Sequence, residues 1–394
     1  MKRRSFLLSG LGAAGALVVG WGLLPPRSRM GLARIAAQGA AWLNGWVKIY
    51  PDGRVGVVVP RAEMGQGVHT ALPMLVAEEL GVAMAQVQVE PAGFDAIYGN
   101  VALFLDALPA HPDARDRLDQ DPVLRLSQWF SGKVARELGL QITGGSTSVR
   151  DAWVPLRQAG ALARELLLAA AAQRWGTKRE HCRLVDGQAI HSDGRRLGIG
   201  ALAQAALKMH PPQTIALKPA AEFNLLGTPA PRLDVAAKVN GSARFGLDVR
   251  LPQMLFAAVR FCPVLGGTVA SFNGDAVRQR PGVVRVSSFA GGAGAAAGVA
   301  VVAQDSWTAL SGVEQVEVKW REGDRAALSS AQLLSTMREQ LDHFDGRVVY
   351  ERGAGAGALQ QAARVVSADY SAPFLAHATL EPMNCTAQFL DDGH

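Results

Sequence analysis

The spacing at which hydrophobic residues recur changes several times along the first part of the chain. Residues 46–60 alternate apolar and polar side chains around Pro51-Asp52-Gly53, a pattern that predicts a β-hairpin with a tight turn. From residue 68 to residue 80 apolar side chains recur at helical spacing, and Gly81 is suited to end that helix. Alternation resumes at residues 87–90, which predicts a further strand. Strands and helices that follow each other in this way indicate an α+β fold.

The middle of the chain contains one strong helix signal and two less regular stretches. Residues 151–175 are rich in alanine and leucine, and small polar residues precede them, so they predict a long helix. Residues 97–140 hold no clear period and carry a charged centre, so we expect an irregular excursion there. From residue 226 to about residue 320 short valine-rich strands alternate with glycines, and one helix is expected near 306–313. This part is predicted to form a separate small α+β unit.

The end of the chain predicts two helices and a strand. The helices are expected at 330–341 and 357–363, and the strand is expected at 365–370. Prolines at 211, 212 and 219 mark a linker before the valine-rich part. The predicted divisions are therefore residues 1–40, 41–220, 221–325 and 326–394.

The first 40 residues begin with a basic cluster and continue as an apolar, glycine-rich run. Lys2-Arg3-Arg4-Ser5-Phe6-Leu7 followed by apolar residues to Leu24 is typical of a signal peptide, and its paired arginines resemble the twin-arginine export signal. The run is also nearly long enough for a transmembrane anchor, although its glycines and alanines make it weakly hydrophobic. We expect a periplasmic protein whose membrane contact, if the leader is retained, is made through the leader alone.

The charge of the chain argues against a nucleic-acid partner. The chain has 40 basic and 34 acidic residues, a formal net charge of +6. Five of the basic residues lie within residues 1–30, which contain no acid, so the rest of the chain is almost neutral. No basic stretch is interleaved with aromatic residues, so we exclude binding to a phosphate backbone.

The three cysteines, Cys182, Cys262 and Cys385, stand far apart in the sequence. An iron-sulfur cluster needs four thiolates and usually takes several from one short loop, so this chain is not expected to hold one by itself. A structural zinc site is equally unsupported. Buried free thiols are the expected state, and one disulfide is the alternative in an oxidising compartment.

Three short segments carry candidate chemistry. The first is Glu63-Met64-Gly65-Gln66-Gly67-Val68-His69-Thr70, which lies between a predicted strand and a predicted helix. Its glycines let the backbone approach a ligand, amides at a helix start attract anions, and Gln66 can donate and accept hydrogen bonds. An ordinary glycine turn between strand and helix explains the same residues.

The second segment, Gly144-Gly145-Ser146-Thr147-Ser148-Val149-Arg150-Asp151, precedes the long helix and presents hydroxyls with helix-start amides. Simple helix capping is its alternative explanation. The third segment, residues 370–382, contains His377 and Glu381, four residues apart. This pair could bind a metal, act as an acid and base, or form a structural polar contact, and Pro382 argues against a continuous helix there.

Taken in this order, the three segments resemble the molybdopterin-binding large subunits of the xanthine dehydrogenase and aldehyde oxidase superfamily. Between the second and third segments, residues 227–234, residues 238–241 and Leu251-Pro252-Gln253-Met254-Leu255 are similar to the α/β hammerhead domain of that superfamily. A leader followed by a cofactor segment and then a hammerhead resembles the N-terminal half of the isoquinoline 1-oxidoreductase β-subunit group.

The resemblance implies molybdopterin-binding segments with an inserted α/β hammerhead domain. Residues 41–220 would be the first part of the molybdopterin-binding domain, residues 221–325 the hammerhead domain, and residues 326–394 the start of the next molybdopterin-binding segment. Met64 to Gly67 and Gly145 to Ser148 would contact the molybdenum-molybdopterin cytosine dinucleotide. Glu381 would lie in the substrate pocket, and His377 would support its loop. The pterin dithiolene would hold the molybdenum, so no protein metal ligand is expected.

The resemblance also implies a molybdenum-dependent oxidoreductase of the isoquinoline 1-oxidoreductase or aldehyde dehydrogenase type. Such an enzyme hydroxylates an N-heterocycle or an aldehyde with water as oxygen donor. Its electrons would pass to a small iron-sulfur subunit, with a cytochrome c as a further candidate acceptor, because this chain's cysteines hold no cluster.

Members of the family are about twice as long as this chain, and their glutamate general base is expected beyond His394. The 394-residue chain alone is therefore expected to be inactive. The alternative is a short, non-catalytic exported protein that uses the same fold for binding or assembly.

Overall fold

The computed structural model describes residues 24, 27–31, 35–37, 39–108, 121–292, 296–343, 346 and 353–389. The twin-arginine sequence and most of the apolar leader lie outside the described residues. The chain forms two compact units, residues 1–242 and residues 243–394.

The first unit contains a five-stranded sheet with the strand order β1-β2-β3-β4-β5. The first four strands pair in antiparallel fashion, and the last pair is parallel because a helix connects β4 to β5. The predicted hairpin at 46–60 and the strand at 87–90 are confirmed. The strands are β1 (Ile35–Ala37), β2 (Ala40–Trp42), β3 (Val47–Ile49), β4 (Val55–Val59) and β5 (Val87–Pro91).

Two helices cover this sheet and meet along a close contact. Helix α1 (Val68–Leu80) and the 28-residue helix α4 (Ser148–Trp175) bury most of the core of the first unit between them. Gly160 allows the approach, since a Cβ on it would lie 2.7 Å from the carbonyl oxygen of Val76. The predicted helices at 68–80 and 151–175 are thus confirmed, and α4 begins three residues earlier than expected.

Residues 97–140 are not the irregular excursion that we expected. They contain helix α2 (Val101–Asp106) and the 17-residue helix α3 (Pro122–Leu138), which pack against each other. The carboxylate of Asp121 accepts hydrogen bonds from the first amides of α3, and Gly139 ends the helix in the left-handed conformation. Residues 109–120, which include most of the charged centre predicted at residues 113–121, lie outside the described residues.

A second, three-stranded antiparallel sheet follows α4 and leads to helix α5. Hydrogen bonds then connect residues 218–226, at the end of the predicted proline linker, to α1. Glu78 and Glu79 of α1 are both buried, and they accept hydrogen bonds from backbone amides of Lys218, Asn224, Leu225 and Leu226. The elements are β6 (Cys182–Val185), β7 (Gln188–His191), β8 (Arg196–Gly198), α5 (Ile199–Ala206) and α6 (Val235–Val239).

The second unit is built from short strands around a valine-rich core, as the sequence predicts. Its sheets have the orders β11-β12-β9 and β10-β13, all antiparallel. Helix α8 packs on β9 and β12, and it confirms the helix expected near 306–313. The elements are β9 (Phe256–Phe261), β10 (Thr268–Asn273), α7 (Asp275–Arg278), β11 (Val283–Phe289), β12 (Gly298–Ala303), α8 (Ser306–Glu314) and β13 (Glu317–Arg321).

The last part of the second unit holds two exposed helices, α9 (Ser330–His343) and α10 (Gly355–Gln361). The strand predicted at 365–370 is wrong, because these residues are exposed and pair with no strand among the described residues. All three cysteines are free; Cys182 and Cys262 are buried and Cys385 is exposed. Single-turn helices occur at Met84–Gln86, Ala96–Tyr98, Arg179–His181, Ala220–Glu222 and Gly246–Asp248.

Candidate functional site

The loop before α1 is organised by one carboxylate of the chain itself. Glu63 accepts hydrogen bonds from the backbone amides of Gly65 at 2.8 Å, Gly67 at 2.9 Å and His69 at 3.0 Å. Gly65 and Gly67 have φ angles of 100° and 80°, which favour glycine. Glu63 therefore occupies the position that an external anion would take at the start of α1.

The protonation of Glu63 reflects these contacts. Burial opposes its ionisation, but the amides of His69, Gly67 and Gly65 together hold the pKa of Glu63 below its ordinary value. Arg232 lies 3.3 Å from the same carboxylate and donates to the carbonyl oxygen of Gly65 at 2.8 Å. Asp234 in turn binds Arg232 at 2.7 Å. The loop is thus braced from outside by an ion-paired arginine.

Gln66 folds back over the same loop. Its amide oxygen accepts from the backbone amide of Met64, and its amide nitrogen donates to the carbonyl oxygen of Ala62 at 2.9 Å. A side-chain amide has two acceptor and two donor positions, so Gln66 keeps capacity for a ligand. Met64 is 69% exposed. The side chains of Met64 and Gln66, rather than the amides that Glu63 uses, are the open groups of this loop.

The second predicted segment starts α4 without a side-chain cap. Thr147 precedes the helix, but its hydroxyl donates to the carbonyl oxygen of Gly144 at 2.7 Å and accepts from Asn100 at 2.6 Å. The simple capping explanation is therefore wrong for this threonine. Gly145 and Ser146 both have positive φ angles, of 61° and 53°, and their turn exposes the Ser146 side chain.

The first amides of α4 are left open by this arrangement. Ser148, Val149 and Arg150 form the first turn, so their N–H groups have no acceptor within the helix. No other acceptor is provided for them within the described part of the chain. A helix of 28 residues carries a partial positive charge at this end, which stabilises an anion placed there.

The two segments meet around one cavity of about 320 Å³. The backbone amide of Ala62 donates to the hydroxyl of Thr143 at 2.9 Å, which joins the first segment to the second across 81 residues of sequence. The cavity falls in the size range of small-molecule sites. Its lining residues are Met64, Gln66, Val68, Ala71, Thr143, Gly144, Ser146, Ser148 and Val149.

A buried charge cluster lies beneath the start of α4. The carboxylate of Asp151 binds Arg61 at 2.7 Å and Arg29 at 2.9 Å, and it accepts from the amides of Val101 and Ala102. The three charged side chains are 10% exposed or less. Burial lowers the pKa of Arg61, which Asp151 opposes. The cluster fixes the first turn of α4 to α2 and to the chain ahead of β1.

The third predicted segment belongs to the second unit and is exposed. Glu381 accepts a hydrogen bond from the backbone amide of Gly246 at 3.1 Å, while His377 lies four residues before it on the same segment. Among the described residues, no group of His, Cys, Asp and Glu is arranged to hold a metal ion. The assignment of Glu381 and His377 to a substrate pocket stays a prediction.

Three residues that shape the site lie within segments named from the sequence, but their roles were not predicted. These are Glu63 as the internal anion, Arg232 as its brace and Asp151 as the support of α4. For Glu63 the sequence offers one signal: an acidic residue stands four positions before the glycine at the start of a helix. None of the described helices is both long enough and apolar enough to cross a bilayer.

The sequence of this chain is similar to those of known proteins. Residues 11–99 match the family described as molybdopterin cofactor-binding domain, and they include the loop of Glu63. The chain is 29% identical over 85% of its length to the beta subunit of isoquinoline 1-oxidoreductase from Brevundimonas diminuta, of which it covers 42%. It is 28% identical over its full length to a membrane-bound aldehyde dehydrogenase [pyrroloquinoline-quinone] of Gluconacetobacter polyoxogenes, of which it covers 47%.

A third relative, a nicotinate dehydrogenase subunit from Pseudomonas putida, is 26% identical over 87% of this chain, which covers 26% of that relative. The chain thus spans less than half the length of each of these relatives. The predicted resemblance is confirmed: residues that match a molybdopterin cofactor-binding domain lie in the first unit, and the chain is similar to the N-terminal part of these relatives.

Proposed function

We propose that this chain is the cofactor-binding part of a molybdenum hydroxylase large subunit, and that the cavity between the starts of α1 and α4 receives part of a molybdopterin cytosine dinucleotide. The observation that carries the proposal is the meeting of two segments, joined by a hydrogen bond between residues 81 positions apart, around a cavity with one open helix start. The molybdopterin cofactor-binding domain match over residues 11–99 supports it.

The groups around the cavity fit the chemistry of such a cofactor. The open amides of Ser148 and Val149 and the hydroxyls of Ser146 and Ser148 are donors that suit a pyrophosphate. Gln66 offers both donor and acceptor positions, which suit the edge of a pterin ring. None of the described residues that line the cavity is cationic, so helix α4 would supply the positive potential.

When bound, the cofactor would supply the molybdenum that oxidises an N-heterocycle or an aldehyde with water as oxygen donor. The residues of this chain would bind and orient it: α4 would hold the anionic linkage, and the loop braced by Glu63 would hold the pterin. In this proposal the second unit is the α/β hammerhead domain, Glu381 orients the substrate, and His377 supports its loop.

The remaining parts of the proposal concern the whole protein. Electrons pass to a small iron-sulfur subunit and from there to an acceptor such as a cytochrome c. The twin-arginine leader delivers the folded, cofactor-loaded protein to the periplasm, which explains why the cofactor site must be complete before export. These statements rest on the resemblance and on the leader sequence.

The test is a matched pair of substitutions at Ser146. Its φ of 53° is tolerated by both Asp and Asn, so S146D and S146N differ mainly in charge. S146D places a carboxylate beside the open start of α4, where it would compete with the cofactor's pyrophosphate. The proteins are purified from a molybdenum-replete host, and bound molybdenum, pterin and released cytidine nucleotide are measured.

We expect the wild-type protein and S146N to contain all three components, and S146D, with a site about tenfold weaker, to contain about half as much of them or less. Equal loading of S146D and S146N would show that α4 does not hold the anion. A well-folded wild-type chain that carries neither molybdenum nor pterin would reject the proposal and favour the non-catalytic binding or assembly function.

A further inference from the structure

A second and larger groove of the first unit lies between α2 and α3. Its volume is about 770 Å³, and α2 contributes Val101 and Leu105 to its apolar wall. From α3 it is lined by residues that include Arg125, Trp129 and Arg136. The groove contains none of the residues that line the cavity between α1 and α4.

The α3 residues of the groove form one stripe along the helix. Arg125, Trp129, Gly132 and Arg136 follow each other at spacings of four, three and four residues, so they lie on the same face. The two arginines are about 16 Å apart along the helix axis at the usual helical rise. Leu126, which also lines the groove, is 65% exposed. The groove is therefore apolar in its centre and cationic at both ends.

Neither arginine forms an ion pair with a described residue. The side chains of Arg125 and Arg136 make no hydrogen bond or ion pair anywhere in the described part of the chain. The Nε of Arg136 is fully buried without an acceptor. Burial and the nearby Arg29 lower the pKa of Arg136, and the charge of Asp151 offsets only part of this. A guanidinium in this position is unfavourable unless an anion accompanies it.

Three described acids near the groove have basic partners of their own. Asp151 is bound by Arg29 and Arg61, and Glu137 lies 3.2 Å from Arg27. Asp106, at the end of α2, pairs with Arg150. None of the described carboxylates forms an ion pair with the two arginines of the groove, so both can bind an anionic ligand.

The place where the apolar leader reaches the body indicates the source of that anion. The leader run ends at Leu24, whose carbonyl oxygen accepts from the Nζ of Lys133 at 2.6 Å. Lys133 lines the same groove. Trp129, a residue type common at membrane interfaces, lies within the cation–π range of Lys133. The groove thus lies beside the end of the chain's most apolar segment.

We propose that the groove between α2 and α3 binds an anionic phospholipid, with the phosphate at Arg136 and an acyl chain along Trp129, Val101 and Leu105. The first unit would then contact the membrane surface through its folded body, in addition to any contact through the leader. This site is separate from the cofactor cavity, so its test does not depend on cofactor loading.

The experiment measures lipid binding to the purified full chain by isothermal titration calorimetry. The ligands are dihexanoyl phosphatidylglycerol, dihexanoyl phosphatidylcholine and inorganic phosphate, each below its micelle concentration where one applies. The variants are R136Q, R136K and R125Q, and R183Q is the control because Arg183 is exposed on β6 outside the groove. Far-UV circular dichroism shows whether each variant is folded.

We expect phosphatidylglycerol to bind about tenfold more tightly than phosphatidylcholine, since only the former is anionic. R136Q should weaken phosphatidylglycerol binding about tenfold, R136K and R125Q about threefold, and R183Q not at all. If R136Q fails to fold, the exposed R125Q decides, because its truncation leaves no buried group unpaired.

Equal affinity for the two lipids, or unchanged binding by both R136Q and R125Q, would overturn the proposal. Displacement of phosphatidylglycerol by inorganic phosphate at equal concentration would also overturn it, since the groove would then be a site for free phosphate.

Discussion

The starts of α1 and α4 face the same cavity, yet they differ in electrostatic state. At α1 the carboxylate of Glu63 accepts from three backbone amides, so the chain supplies its own anion. At α4 the hydroxyl of Thr147 is turned away and the amides of the first turn stay open. A helix start is therefore an anion site only where the chain has not already filled it.

Because of this difference, the two helix starts would act on a bound ligand in opposite ways. An anionic group of a ligand is stabilised at α4 and repelled at α1, because Glu63 is ionised at neutral pH and its pKa is held low. A ligand with one charged and one neutral end would be bound in a single direction. The following changes alter one side of this comparison at a time.

The largest effect is expected from D151N, which removes the charge beneath the start of α4. Arg29 and Arg61 would remain buried without their shared carboxylate, and breaking such a pair costs about 3–5 kcal/mol of unfolding free energy. Urea unfolding followed by circular dichroism measures the loss. D52N is the control, since the exposed pair of Asp52 and Arg54 should contribute nothing measurable. A stable D151N protein would show that α4 is fixed by packing alone.

A smaller effect is expected from E63Q, which makes the start of α1 resemble that of α4. Charge-assisted hydrogen bonds to three amides are weakened, so the unfolding free energy should fall by about 2 kcal/mol. The same urea experiment measures this change, with E180Q on the exposed surface of the first unit as the control. An unchanged midpoint for E63Q would mean that the loop holds its shape without the internal anion.

The smallest effect is the pH dependence of that difference. Because the pKa of Glu63 is lowered in the folded protein, its contribution to stability is present above the carboxyl's ordinary pKa and is lost as pH falls through the lowered value. The stability gap between wild type and E63Q should therefore be constant from pH 7 to pH 5 and shrink at lower pH. A gap that stays constant to pH 2.5 would contradict the assignment of an ionised Glu63.

The sequence predicted the elements whose signals are local. Helices α1 and α4 have apolar residues at helical spacing and end at the left-handed glycines Gly81 and Gly176. The apolar pattern and the terminal glycine therefore predict the same end for each helix. The hairpin around Pro51-Asp52-Gly53 has its turn residues in the expected place. For these elements the local preferences and the tertiary packing act in the same direction.

Helix α3 was missed although its end signals are present in the sequence. Asp121 followed by Pro122 is a strong helix start, and Gly139 a strong helix end. Its apolar and polar residues also lie on different faces, so the helical period was present in the sequence and was overlooked. Val365 and Val366, in contrast, favoured the prediction of a strand that does not form, because no strand among the described residues pairs with them.

The electrostatic part of the site could not be predicted, because it depends on the direction of side chains. Glu63 could equally have faced solvent, and only the fold of Gly65 and Gly67 turns their amides toward it. The joining of Ala62 to Thr143 likewise depends on the close packing of α1 against α4. The sequence shows which segments form the site. It does not show whether the amides at each helix start are open or already bound by a side chain.

The position of Asp151 also orders events during protein synthesis. Arg29 and Arg61 are translated 122 and 90 residues before the carboxylate that they share. Until the ribosome has released that residue, both cations lack their partner and the start of α4 has no support. Because such distant contacts close late, a nascent chain shorter than about 150 residues cannot complete the cavity, whatever its local structure. Readiness to accept a ligand is thereby delayed until most of the first unit has been made.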